Sequence, residues 1–347
     1  MQLTGNPYMS GQTTRRRFLA QAGAAAAGMA LAGACDSGRA GDAEPKAATP
    51  TTRPSPRVAI ARDEALTTGA VSEHADLLRK LLDAAMQKVT GAADAVGAWR
   101  SVIPSKARVG IKVNTLGLST QPAVVDAIVA GLRQADMPAE NIIIWDRFDT
   151  ELARAGFKLN KSSSGVKCRG TDAERYGSGY QEEIETSGRI GSCYSRIVAD
   201  EINTIISVPV LKDHNLAGVS LGLKNFFGAI HNPNKYHDDN CDPYIVDVVM
   251  HRYIRPKWKL TVIDGTRAQY NAGPTRNPSF AWPFGGLIVS LDIVAADAVA
   301  ADLLEKHRRA KGEKPLERDG RPPRHIATAA ARGLGVADLA RIERLEV

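Results

Sequence analysis

Lysine and histidine side chains are concentrated in one stretch of the sequence. Residues 210–237, VLKDHNLAGVSLGLKNFFGAIHNPNKYH, carry three of each within an apolar segment dotted with glycines. A lysine among apolar residues loses hydration, so its pKa falls toward a value that suits a base or a nucleophile. Histidine titrates near neutrality and suits general acid–base catalysis. We therefore predict catalytic roles for Lys212, His214 and Lys224.

The same stretch has the apolar periodicity of a helix. Apolar residues recur every three or four positions from Leu216 to Ile230, which predicts a helix with one buried face and Lys224 on another. Three glycines within it disfavour a helix. We therefore expect a close approach there by a substrate, a cofactor or a neighbouring helix.

Short apolar runs alternate with helical patterns along the rest of the chain. Strands are expected at 57–61, 108–114, 141–146, 203–211, 259–264 and 286–291, and helices at 72–89, 122–135 and 292–307. Continuous apolar strands separated by helices are typical of parallel sheets with both faces covered. We predict an α/β fold, a mostly parallel sheet with helices on both faces. The polar, glycine-rich residues 148–200 predict one irregular insertion or a small hairpin.

Polar side chains follow four of these strands, at the edge where ligands of parallel sheets bind. They predict a pocket for a small anionic molecule, in which fixed cations offset the negative charge. The predicted substrate-binding residues are Lys112, Asn114, Asp146 and Asn225. Asp264 is predicted as a further catalytic residue that orients the lysines and histidines.

A cluster of metal-ligand residue types follows the lysines. Residues 231–242, HNPNKYHDDNCD, combine imidazole, carboxylate and thiol groups, which bind divalent transition metals. The cofactor is left open, with a divalent transition metal on His231 and His237 as one alternative and a hydrated Asn/Asp/Pro turn as the other. The cysteines form no C-x-x-C pair, so their spacing does not support an iron–sulfur cluster. A disulfide between Cys168 and Cys193 is a further hypothesis.

The amino-terminal residues predict export. TTRRRFLAQAGAAAAGMALAGAC combines an arginine pair with a short Ala/Gly-rich apolar run, which resembles a twin-arginine signal peptide at residues 1–34. The LAGAC sequence leaves lipidation of Cys35 open. Residues 35–56 are rich in Pro, Ala and Thr and predict a flexible linker to a domain at 57–347. We expect a protein exported to the periplasm or the outer face of the cytoplasmic membrane, with the twin-arginine export machinery as a partner. Membrane contact is expected only through the signal or the lipid.

The charge excludes one class of partner. Removal of residues 1–34 takes away three arginines and no acids, so the net charge falls from +7 to +4. No basic run interleaved with aromatic residues accompanies it, so nucleic acid is not an expected partner.

Four motifs in order, GIKVN, SVPVLKDHNLAGVSLGLKNFFG, LTVIDGT and DIVAADAVAA, resemble domain-of-unknown-function family 362. That resemblance implies an α/β domain. The segment from His214 to Lys224 is also similar to one in nickel-pincer lactate racemases. This likeness implies that Lys224 holds a pyridine-derived cofactor, that His231 or His237 binds nickel, and that His214 is an acid/base.

Three classes of function stay open at this point. An exported enzyme would act on a small anion by Lys/His acid–base chemistry, with or without a metal or organic cofactor. A periplasmic binding protein for a metal or a small anion would use the same pocket without turnover. In a structural protein the polar residues would be scattered over the surface.

Overall fold

One mixed sheet organises the chain in the computed structural model, which describes residues 55–173 and 179–347. The predicted signal peptide, the lipidation site at Cys35 and the linker up to residue 54 lie outside the described residues. Within the described residues, eleven strands belong to this sheet. They are β1 (Arg57–Arg62), β2 (Val109–Val113), β3 (Ile142–Asp146), β4 (Lys167–Gly170), β7 (Thr204–Val208), β8 (Val210–His214), β9 (Gly218–Val219), β10 (Trp258–Gln269), β11 (Ala281–Trp282), β12 (Gly286–Ser290) and β13 (Glu343–Glu346).

The strand order along the main path is β13-β1-β12-β10-β7-β2-β3-β4. From β10 to β4 each neighbouring pair is parallel, whereas β12 runs antiparallel to both of its neighbours. The long strand β10 pairs first with β7 and then with β8. The carboxyl ends of β2, β3 and β8 therefore lie at the same edge of the sheet, as the sequence predicts for ligand-binding residues.

Helices cover both faces of the sheet, so the predicted α/β fold is confirmed. Side chains of α1 (Ala75–Thr90), α2 (Ala95–Val102) and α3 (Pro122–Gln134) pack on one face, with Val109 and Ile111 of β2. On the opposite face lie α5 (Leu221–Lys224), α6 (Tyr244–Met250), α7 (Ile293–Ala310) and α8 (Arg324–Ala331). Because side chains alternate along a strand, Lys112 of β2 points toward this second face.

The helix predicted from Leu216 to Ile230 is wrong for most of its length. The chain instead turns back after β8, and Val219 pairs with Asp213 in the antiparallel strand β9. A helix of one turn, α5, follows, and residues 225–229 continue as a 3-10 helix. Almost every side chain from Ala217 to Ile230 is buried, so the apolar pattern reflects burial on all sides rather than one helical face.

The predicted strand 203–211 is interrupted at Pro209, which divides it into β7 and β8. Proline has no N–H for the ladder, but its carbonyl accepts a hydrogen bond from Asp264 N at 2.8 Å.

The polar segment 148–200 contains α4 (Asp149–Arg154) and the hairpin of β5 (Glu185–Ser187) and β6 (Ile190–Ser192). It also adds β4 to the edge of the main sheet beside β3, so this part is regular structure.

Within the described residues, no helix combines the length and the apolar character needed to cross a membrane.

Candidate functional site

A cavity of about 130 Å³ lies where the ends of β2, β3 and β8 meet α5. Eight of the ten predicted site residues line it: Lys112, Asn114, Asp146, Lys212, His214, Lys224, Asn225 and His237. The wall also contains Arg147 and Glu151. Four cationic side chains thus face two carboxylates, which gives the cavity an excess of positive charge below the pKa values of its lysines.

A buried ion pair forms one wall of the cavity. Lys112 Nζ lies 2.6 Å from Asp146 Oδ1, with side chains 1% and 8% exposed. The ammonium also donates to Val113 O at 2.6 Å and lies 3.3 Å from Asn225 Oδ1. Burial lowers the pKa of Lys112, and the charge of Asp146 opposes that shift. The ammonium therefore has three acceptors in the protein and acts as a fixed charge.

Asp146 is saturated with donors. Its Oδ2 accepts hydrogen bonds from the N–H and the hydroxyl of Thr115, both at 2.8 Å, and its Oδ1 accepts one from Arg147 N at 2.9 Å. Asn225 closes the same network by donating from Nδ2 to Lys112 O and Ser207 Oγ, each at 3.1 Å. These two residues hold the wall in place.

Lys212 has a similar fixed position. Its ammonium donates to Asn114 Oδ1 at 3.0 Å, Leu116 O at 2.5 Å and Leu118 O at 2.8 Å. Burial lowers its pKa to about 7. Because all three N–H groups of the ammonium have acceptors, Lys212 positions the loop 114–118, and it contributes a positive charge below its pKa of about 7.

Lys224 has a different environment from the other two lysines. Within residues 55–173 and 179–347, its hydrogen-bond partner is His237 alone, whose Nε2 lies 3.1 Å from Nζ. The ammonium also lies 3.9 Å from the centroid of the Phe227 ring. Burial lowers the pKa of Lys224 to about 8. Lys224 is therefore the lysine with N–H groups, or a lone pair, left over for a ligand.

The tautomer of His237 follows from its contacts. Its Nδ1 lies 3.1 Å from the carbonyl oxygen of Pro233, which can only accept, so Nδ1 carries a proton. The lone pair of Nε2 then faces Lys224 and accepts its N–H. Burial, and next the charge of Lys224, lower the pKa of His237. A neutral imidazole thus accepts from the lysine at neutral pH.

His214 is fixed in the opposite tautomer. Its Nδ1 accepts the N–H groups of Leu216 and Ala217 at 3.1 and 3.2 Å, so the proton of the neutral ring is on Nε2. Burial, followed by the charge of Lys224, lowers its pKa to about 2. The expectation of a pKa near neutrality is therefore wrong, because the ring is desolvated beside a cation. His214 remains a neutral N–H donor, stacked on His237 with ring centroids 5.9 Å apart.

Asp264 and His231 do not line the cavity. Asp264 accepts hydrogen bonds from Gln121 N at 2.7 Å and from the N–H and hydroxyl of Thr266 at 2.9 and 2.6 Å. Burial raises its pKa to about 6. Its contacts join β10 to the start of α3, so we assign it a structural role. His231 is exposed and makes an edge contact with Tyr180 at 5.3 Å.

The metal-ligand residue types do not converge. Among the described residues, no group of three or more His, Cys, Asp or Glu side chains is arranged to hold a metal ion. His237, one of the two predicted ligands, uses its Nε2 lone pair on Lys224. Cys168, Cys193 and Cys241 are free thiols, so the hypothesis of a disulfide between the first two is wrong.

Sequence reasoning missed the buried charges behind the cavity. The segment 305–325 has the composition of a solvated connection, yet the side chains of Arg308, Arg321 and His325 are buried. Arg321 Nη1 lies 2.5 Å from Asp213 Oδ2 and donates to His214 O at 3.1 Å, which fixes the end of β8. The buried roles of these side chains depend on partners that are distant in the sequence, so the local composition does not predict them. Arg147, by contrast, directly follows Asp146, and its position at the strand end was a usable signal.

Close approach explains two of the glycines in the lysine-rich segment. A Cβ at Gly228 would lie 2.7 Å from Asp146 Oδ1 and 2.8 Å from Lys112 Nζ. A Cβ at Gly222 would lie 2.9 Å from Asp297 Oδ1, an oxygen that accepts Gly222 N at 2.8 Å. Asp297 Oδ2 accepts Leu223 N at the same distance. The backbone thus sits directly on buried carboxylates, which leaves no room for side chains.

Comparison with known families accounts as a group for the motifs that resemble a family of unknown function. The family model described as a domain of unknown function (DUF362) matches residues 106–302, more than half of the chain. The protein belongs to this family. The match includes β2 and β3, the lysine-rich segment and most of α7, so every residue lining the cavity of this DUF362 member lies within it. A comparison with curated proteins finds no match.

Proposed function

We propose that this DUF362 protein is an exported enzyme that binds a small organic anion in the lysine-lined cavity and transfers a proton through Lys224 and His237. The observation that carries the proposal is the 3.1 Å contact between Lys224 Nζ and His237 Nε2 inside a cavity with excess positive charge. Perturbed groups that converge in a cleft are typical of catalytic sites.

Lys224 is the proposed base. With a pKa of about 8, roughly a tenth of its side chains are neutral at pH 7. A neutral amine keeps one N–H on His237 Nε2 and offers its lone pair to the cavity. A carbon acid next to a carboxylate would transfer its proton to that lone pair. Burial of the lysine thus supplies a base near physiological pH.

The remaining residues stabilise negative charge. The Nε2–H of His214 donates a hydrogen bond without giving up its proton, because its ring is a neutral imidazole. Lys112 and Lys212 are held by protein acceptors before any substrate arrives, so the charge of Lys112, and that of Lys212 below its pKa of about 7, needs no reorganisation during reaction. The negative charge that develops on a deprotonated substrate is therefore stabilised by groups fixed in place.

Solvent-exchange measurements test this proposal. Small 2-hydroxy carboxylates would be incubated with the protein in deuterium oxide, and loss of the signal of the C–H at C2, next to the carboxylate, followed by NMR. We expect exchange in the wild type and a loss of about a hundredfold or more in Lys224→Met and His237→Phe. Lys106→Met, which removes an exposed lysine outside the cavity, is the matched control. Exchange that persists in Lys224→Met would overturn the role of this lysine.

A binding protein without turnover is the second candidate. The saturated hydrogen bonding of Lys112, Asp146 and Lys212 supports it, because a rigid cationic wall suffices to hold an anion. Carboxylate binding that depends on Lys224, together with no exchange at any pH from about 6 to 9, would favour this second function.

Export and cofactor content are separate parts of the proposal. The arginine pair and the apolar run that follows support twin-arginine transport to the periplasm, with or without a lipid on Cys35. Replacement of both Arg15 and Arg16 by lysine is expected to retain the protein in the cytoplasm on cell fractionation.

Native mass spectrometry with elemental analysis of protein from its own host would detect a metal or an added mass on a Lys224 peptide.

A further inference from the structure

A second, larger depression adjoins the lysine-lined cavity. It has a volume of about 680 Å³ and lies between the loop 115–119, the end of β10 and the loop 276–283. Leu116 and Glu151 line both spaces. Leu116 is 56% exposed at their junction, although it is a large apolar side chain. A ligand can therefore extend from one space into the other across this leucine.

Two arginines in this groove have no partner among the residues that the structure describes. The groove contains Arg154, Arg267 and Arg276, against the single carboxylate of Glu151. Arg267 already makes hydrogen bonds within the protein, since its Nη1 donates to Leu66 O at 2.7 Å and to Thr266 O at 2.8 Å. Arg154 and Arg276 are exposed and make no hydrogen bond or ion pair within the part of the chain that the structure describes. Their guanidinium groups are free to bind a carboxylate or a phosphate.

The groove also has a rigid apolar wall. Trp282 is 9% exposed and lies stacked on His307 with ring centroids 4.4 Å apart. Phe284 contacts the same indole edge-on at 5.2 Å. Pro278 and Pro283 complete this wall. The groove thus combines an apolar wall with two cationic side chains, and it adjoins the lysine-lined cavity. This combination matches a molecule with an apolar middle and an acid group at each end.

We infer that the groove binds the remote end of the substrate and that this end carries a second anionic group. The inference rests on the proposed function, because the reacting end is assigned to the cavity of Lys224. The substrate class is then a bifunctional organic anion. Its reacting carboxylate lies among the lysines, its apolar middle passes Leu116 and Trp282, and its second carboxylate or phosphate lies on Arg154 and Arg276.

Calorimetric titration with matched acids tests this inference. The probes are straight-chain dicarboxylates from succinate to sebacate and the monocarboxylates with the same numbers of carbons. An exposed ion pair contributes roughly 0.2–1 kcal/mol, so two arginines are expected to make the best diacid about 2- to 30-fold tighter than its monoacid. The affinity is expected to peak at one chain length, because the two cationic regions are fixed.

Variants separate the groove from the cavity. Arg154→Gln combined with Arg276→Gln is expected to abolish the advantage of the diacid and to leave monoacid binding unchanged. Arg309→Gln, an exposed arginine on α7 outside the groove, controls for net charge. Lys224→Met is expected to weaken both series.

The outcomes distinguish the two levels of the proposal. If monoacids bind through Lys224 and diacids bind no tighter, the groove inference is wrong and the proposed function stands. If diacids bind through the two arginines but Lys224→Met has no effect, the inference fails as stated, since the cavity does not hold the reacting end. If no acid of either series binds the wild type, both are overturned.

Discussion

Lys224 Nζ lies 3.1 Å from His237 Nε2, and the other nitrogen of that ring lies 3.1 Å from Pro233 O. This arrangement fixes the direction of the hydrogen bond, because a carbonyl oxygen can only accept. The imidazole must donate from Nδ1 and accept at Nε2, so the lysine is always the donor. One N–H of Lys224 is thereby oriented, and its other N–H groups, or its lone pair, are left for a ligand in the cavity.

His214 is expected to stay neutral across the physiological range. Burial, and next the charge of Lys224, hold its pKa far below 6.5, at about 2. Its ring signals in a nitrogen-15 NMR titration should therefore not move between about pH 4 and pH 8, whereas in urea they should titrate near pH 6.5. A midpoint near neutrality in the folded protein would contradict the assignment of His214 as a fixed donor.

The pair of Lys112 and Asp146 should couple strongly. Removal of one partner leaves a buried charge unpaired, so Lys112→Met or Asp146→Leu alone is expected to cost about 3–5 kcal/mol of unfolding free energy. The double variant should cost clearly less than the sum of the two. Urea unfolding of the four proteins measures this coupling.

The pair of Arg57 and Glu343 is the matched comparison, since its side chains are 41% and 48% exposed. Glu343→Gln should cost about 1 kcal/mol or less. Additive losses at Lys112 and Asp146 would show that the buried pair is not a coupled unit.

The sequence was most informative where a whole element is apolar. The strands later found as β2 and β3 could be predicted from GIKV and NIIIWD, because both of their faces are buried. The short helix α5 could not be predicted. Its residues are buried on all sides, so their apolar pattern does not distinguish a helix from a strand. Strand β4 was not predicted, because the charged residues Lys167 and Arg169 at alternate positions are more typical of a loop.

Side-chain convergence was predictable for the cavity because parallel strands end at a common edge. Lys112 and Lys212 could be placed there from their strands alone. The roles of these lysines could not be predicted, because they depend on which acceptors surround each ammonium group. Those acceptors lie in the loop 114–118 and on Asn225, which come from other parts of the chain. The structural role of Asp264 likewise depends on Gln121, far away in sequence.

The stability of the protein should rise between about pH 7 and pH 10 through Lys212. Burial lowers the pKa of Lys212 from 10.5 to about 7. Between these values the unfolded chain binds a proton that the folded protein does not, so the free energy of unfolding increases with pH. Lys212→Met should reduce that slope by up to about 1.4 kcal/mol per pH unit in urea unfolding. Lys106→Met should leave the slope unchanged, and an unchanged slope in Lys212→Met would contradict the shift.

Gly228→Ala should disrupt the cavity without any change in charge. The new methyl group would lie within 3 Å of both Asp146 Oδ1 and Lys112 Nζ, so the ion pair must move. We expect a loss of about 1–3 kcal/mol in unfolding free energy and weaker carboxylate binding. Gly97→Ala, in α2 with its nearest neighbour at 3.4 Å, should be neutral or stabilising by about 1 kcal/mol. Equal effects of the two substitutions would argue against close packing at Gly228.

The reactivity of Lys224 with pH tests the central claim most directly. Reductive methylation with formaldehyde, read out by peptide mass spectrometry, gives the rate at each lysine from one sample, with exposed Lys106 as the internal reference. We expect half-maximal reactivity of Lys224 near pH 8, where burial places its pKa, and protection by a bound carboxylate. A profile that rises only near pH 10, as for an ordinary lysine, or a rate that carboxylates do not change, would contradict the assignment of Lys224 as the base of this site.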